Sequence, residues 1–84
     1  MKKITVRYFA SIREAIGQGS ERVETSAANL VALRDELIAR GGAYAESLAR
    51  GRVVRVALDQ VMADESAALP EGAEVAFFPP VTGG

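Results

Sequence analysis

Eighty-four residues make one small domain, which buries roughly 60–65% of its unfolded surface and has little room for an enclosed active site. Ten Lys and Arg against eleven Asp and Glu give a net charge of −1 with no basic stripe, so nucleic acid is a poor partner. With no His and no Cys, zinc ligation, imidazole general-base catalysis and thiol chemistry are excluded. No bound metal is expected, nor a self-contained enzyme. No apolar run of about 20 residues and no cleavable leader is present, so neither membrane nor export is expected and the location is cytosolic by default. Covalent chemistry on this chain is left with a Lys, a hydroxyl, a carboxylate or a terminus.

Lys3 to Phe9 alternates, with Ile4, Val6 and Tyr8 on one side and Thr5, Arg7 and Phe9 on the other, the period-2 pattern of a half-buried strand. Ser11-Ile12-Arg13-Glu14 has capping-box spacing, and Gly17 closes a short helical turn. Arg22 to Thr25 then reads as a strand pairing antiparallel with the first, because consecutive strands with a modest connector usually neighbour each other. Leu30, Leu33, Leu37 and Ile38 give one apolar helical face, with Arg34, Asp35 and Glu36 mainly off it. Asn29 is the expected N-cap of this main helix and Gly41-Gly42 its stop. The leucine stripe is read as core, since one sheet and one helix must cover each other.

Ala43 to Ala49 is a further helical turn with Tyr44 and Leu48 inward, and Val53 to Leu58 is a third strand. Asp59-Gln60 turns the chain into a brief Val61-Met62 strand, Ala63 to Leu69 is a small polar loop, and Pro70-Glu71-Gly72 is a turn. Val75 to Phe78 is the last strand. The order strand, strand, helix, strand, strand, strand predicts an α+β fold. Its mixed sheet has one main helix packed on one face and the first and last strands parallel at its centre. That is a β-grasp, ubiquitin-like arrangement.

The domain is expected to span residues 1–78, with residues 79–84 a flexible Gly-Gly tail. Pro79 and Pro80 have no N–H and a fixed φ, so the strand cannot continue and the chain leaves the fold. Pro79, Pro80, Val81, Thr82, Gly83 and Gly84 together reach roughly 20 Å when extended, enough to enter another protein. The two glycines can thread a narrow channel and leave the Gly84 carboxylate unhindered. Phe9 and Phe78 both fall on the side of the sheet opposite the helix and would form one apolar anchor at the base of the tail, unless Phe78 curls into the core. Met62 is a further candidate for this patch.

The run Val75-Ala76-Phe77-Phe78-Pro79-Pro80-Val81-Thr82-Gly83-Gly84 closely resembles the C-terminal signature of the small, sulfur-carrier subunits of molybdopterin synthase. Supporting anchors are Val6 to Ala10 with Arg13-Glu14, the Leu30 to Leu37 helix, and Leu69 to Val75. Two residues depart from the family pattern: Asp59 stands where Asn is common, and Ala73 where an acidic residue is common. The resemblance implies that the Gly84 carboxylate is adenylated by a ubiquitin-activating-like adenylyltransferase that uses ATP, then converted to a thiocarboxylate. The tail would then insert into the large catalytic subunit and deliver sulfur to a pterin precursor. It further implies a heterotetramer in which this chain is the non-catalytic small subunit and binds no cofactor itself. Two alternatives remain open. One changes the recipient, to thiamine synthesis or to protein lysines in the manner of a ubiquitin-like modifier; the other is a non-catalytic β-grasp interaction module whose tail only fills a groove.

Overall fold

The computed structural model of the chain describes residues 1–80. Its elements are β1 (Lys2–Tyr8), α1 (Ala10–Ile16), β2 (Ser20–Thr25), α2 (Leu30–Ile38), α3 (Gly42–Ser47), β3 (Arg55–Leu58), β4 (Val61–Ala63) and β5 (Glu74–Phe78). The strands form one five-stranded sheet in the order β2-β1-β5-β3-β4. β1 and β5 run parallel at its centre, and the other pairs are antiparallel. The β-grasp arrangement expected from the element order is the one observed.

Alternation decides which side chains fill the core. Ile4, Val6 and Tyr8 of β1, Val23 of β2, Val56 of β3 and Val75 and Phe77 of β5 are buried together with Ile12, Leu30, Leu33, Leu37 and Leu48 from the helical side. Tyr8 and Phe77 stack across the parallel pair with ring centroids 6.5 Å apart. Asn29 caps α2, its side-chain oxygen accepting the Ala32 N–H at 2.9 Å, which satisfies one of the donors a helix start leaves unpaired.

In four places the structure departs from the sequence reading, each for a local physical reason. Ser11 does not cap α1. The helix begins at Ala10 with Phe9 in the capping position, two residues before Ser11, and the Phe9 carbonyl accepts from the N–H groups of Ile12 and Arg13. Arg34 is not off the buried face of α2; it is 4% exposed. Its donors reach the carbonyls of Leu48, Ala49 and Arg52, at 2.7 to 3.0 Å, and Glu65 at 2.7 Å. They supply partners that the irregular segment after α3 cannot find in a ladder.

The third strand starts at Arg55 rather than Val53, because Arg55 pairs with Phe78 and the next residues on β5's path, Pro79 and Pro80, cannot donate to a ladder. Val53 is accordingly 69% exposed. Finally, the segment after β4 is not simply a polar loop. Its Leu69 is buried, and the Ala67 and Glu65 carbonyls accept the Leu30 and Val31 N–H groups at 3.1 and 2.9 Å, closing the start of α2.

Candidate functional site

The end of β1 and the end of β5 lie side by side because the two strands are parallel, with Tyr8 paired to Phe77. The next residue of each chain segment is a phenylalanine. Phe9 leaves the ladder but its N–H still donates to the Phe77 carbonyl at 3.1 Å, and Ala10 beyond it turns the chain sharply with φ 51°, a left-handed conformation that costs a non-glycine residue about 1 kcal/mol. This corner holds Phe9 against Phe78. Their ring centroids are 6.2 Å apart and the planes cross at 88°, the edge-to-face geometry aromatic quadrupoles favour.

Both rings sit on the sheet face that carries no helix. Phe77 is fully buried, so its neighbour Phe78 is directed to the other side, where it is half-buried against Phe9. Phe78 is therefore not tucked into the core. Phe9 is 39% exposed. Met62, 53% exposed, belongs to the same face: it pairs with Ala57, Ala57 pairs with Ala76, and Ala76 pairs with Arg7. The two small alanines form a low floor between Met62 and the aromatic pair. Arg7 closes one side, its guanidinium 5.3 Å from the Phe9 ring centroid and 3.5 Å from Glu74.

Arg55 closes the other side, facing Phe78 in register. The sequence reading did not single out Arg55. Counting alternation outward from Val56 would have found it.

Pro79 and Pro80 leave from this corner and line one wall of a groove of about 460 Å³ with Ile12, Ala15, Val53 and Val54. Val81, Thr82, Gly83 and Gly84, the remaining tail residues named from the sequence, lie outside the described residues. Among the described residues no group of three or more Asp and Glu is placed to hold a metal, and no helix is long and apolar enough to cross a membrane. The site offers an aromatic anchor, flanking guanidiniums and a proline-stiffened exit.

The chain matches the family model described as ThiS family over residues 6–84. It is 38% identical over 81 residues to the molybdopterin synthase sulfur carrier subunit of Haemophilus influenzae, covering 96% of this chain and 99% of that one. It is 37% identical to the protein of the same name from Escherichia coli, with the same coverage. Among solved structures it is similar, at TM-score 0.66 and 26% identity, to a chain in the complex of subunits 1 and 2 of the molybdopterin-converting factor from Helicobacter pylori, covering 98% of this chain and 99% of that chain. A match of this length and identity places the chain in the ThiS family, alongside the sulfur-carrier subunits of molybdopterin synthase.

Proposed function

We propose that the chain is the sulfur carrier of a molybdopterin synthase, holding sulfur as a thiocarboxylate on Gly84 and docking on a large catalytic subunit through Phe9, Phe78 and Met62. The observation that carries the reading is the Phe9–Phe78 pair fixed where the chain leaves β5 through Pro79-Pro80. It puts an apolar anchor at the root of a tail ending in Gly-Gly. The names of the relatives and the two-subunit assembly of the Helicobacter pylori protein support the same partner class.

The chemistry follows from the terminus. A carboxylate is a poor electrophile. Attack of its oxygen on the α-phosphorus of ATP, catalysed by an activating enzyme, expels pyrophosphate and leaves an acyl-adenylate with AMP as a good leaving group. A sulfur nucleophile then displaces AMP, and the resulting thiocarboxylate sulfur is itself a nucleophile that needs no cysteine on the carrier. On this reading the residues that recognise a pterin belong to the large subunit.

The test is an intact mass spectrum before and after incubation with the activating enzyme, ATP and a sulfur source, followed by fragmentation of the C-terminal peptide. One oxygen replaced by sulfur at Gly84 is the expected result. A terminus left unchanged, under conditions that modify a known carrier, would favour the interaction-module reading.

A further inference from the structure

The helix-free face is uneven in charge as well as in polarity. Strand register and alternation put Lys3, Arg7, Arg22 and Arg55 on it against Glu24 and Glu74, four cations against two carboxylates in a chain of net charge −1. Two of the cations flank the aromatic pair. Arg7 is engaged by Glu74 and by the face of Phe9. Arg55 is exposed and its side chain makes no hydrogen bond or ion pair among the described residues.

The carboxylates near Arg55 are each directed to a partner other than Arg55. Asp64 and Glu65 share with Arg55 and Met62 a shallow groove of about 350 Å³ at the sheet edge. Asp64 accepts from the N–H and hydroxyl of Ser66, both at 3.0 Å, while Glu65 is bound by Arg34 at 2.7 Å. A guanidinium with no ion-pair partner among the described residues is thus held one strand away from Phe78, the residue any apolar docking must cover.

Covering Phe78 strips water from Arg55. A desolvated, unpaired guanidinium is costly, whereas one meeting a carboxylate in its planar fork is not. We infer that Arg55 is a specificity residue of the docking face, paired in the complex with a carboxylate on the rim of the large subunit's apolar socket. The inference rests on the carrier reading above. It makes a socket without that carboxylate a poor partner, through the desolvation penalty more than through any lost contact. An acidic protein surface fits better than a polyanion, because the centre of the face is aromatic and alanine, with guanidiniums only at its sides.

The test is calorimetric titration of the full chain against the large synthase subunit encoded in the same genome, at low and at high salt. Arg55→Glu is expected to weaken binding about a hundredfold at low salt, and Arg55→Met about tenfold, with a shallower salt dependence than the unaltered chain. Arg22→Glu makes the same change in net charge on β2, two strands from Phe78, and should weaken binding less than about threefold. An Arg55→Glu chain that binds as well as the unaltered one, or no worse than Arg22→Glu, would overturn the inference and leave the carrier reading standing. Failure of the unaltered chain to bind at all would sink the carrier reading and the inference together.

Discussion

Arg34 and Glu21 show how single side chains hold this small fold together. Arg34 donates to three backbone carbonyls and one carboxylate from within the core, so Arg34→Met strands acceptors that water reaches poorly. It should destabilise the domain by about 3 kcal/mol, lowering Tm by roughly 12–24 °C in a thermal melt followed by circular dichroism. Glu21 accepts the hydroxyls of Tyr8 at 2.8 Å and Tyr44 at 2.7 Å, and Arg40 at 3.0 and 3.1 Å. Burial alone would raise its carboxyl, but the bonds from Tyr44, Tyr8 and Arg40 outweigh that and hold it below the ordinary 4.5. A depressed carboxylate contributes stability above its unfolded value, so this contribution is present at neutral pH and is lost as pH falls below 4.5. Urea midpoints measured from pH 7 to 3 should fall over that window, and fall less for Glu21→Gln. Burial pushes the Tyr8 hydroxyl up from 10.0, so its contribution is complete below pH 10 and declines above it.

At the scale of elements, the β3–β4 hairpin stores removable strain. Asp59 and Gln60 have φ of 50° and 71°, the two-residue turn that matches strand twist but disfavours side chains. The two positions are not equivalent. Asp59 Oδ1 accepts the Glu74 N–H at 2.9 Å, tying the hairpin to β5, whereas Gln60 is exposed and makes no side-chain bond among the described residues. Gln60→Gly should therefore stabilise by about 1 kcal/mol, while Asp59→Gly gives no gain because it removes that bond. Paired thermal melts decide it, and a gain at Asp59 would mean the bond to Glu74 contributes nothing. Asp59 is thus accommodated with its turn intact.

For the whole molecule, the proposed docking face and the helix-covered core lie on opposite sides of the sheet, so variants can separate the two. Leu33→Ala on the helix side should cost about 3 kcal/mol of stability and leave affinity for the large subunit unchanged in the fraction that stays folded. Phe78→Asp on the other face should lose binding by more than about a hundredfold with Tm changed by only a few degrees. Deletion of Gly83 and Gly84 should abolish sulfur transfer in a single-turnover assay while binding through Phe9 and Phe78 persists. A deletion that still transfers sulfur would exclude the terminus as the carrier atom.

The fold was legible because its determinants are local and periodic. The alternation of Ile4, Val6 and Tyr8, the Leu30-Leu33-Leu37 stripe, the Asn29 cap and the Pro79-Pro80 stop each act within a few residues, and the parallel pairing of β1 with β5 followed from the element order. The adjacency of Phe9 and Phe78 could be anticipated on the same basis, since parity and pairing together bring strand ends into one corner. What escaped is what depends on contacts between distant segments. Arg34 reads as a solvated helix residue until the segment after α3 lays its carbonyls across it, and Val53-Val54 reads as strand until the partner runs out of N–H groups at Pro79. Arg55 becomes distinctive only when Glu65 and Glu74 are seen to pair with other guanidiniums and Asp64 to turn to Ser66. Sequence by itself determined which residues alternate, cap and stop, because those preferences are written in single side chains and their spacing. Only the tertiary structure decided which buried donors find acceptors and which charged side chain is left without a direct partner, because both depend on every neighbour that folding brings near.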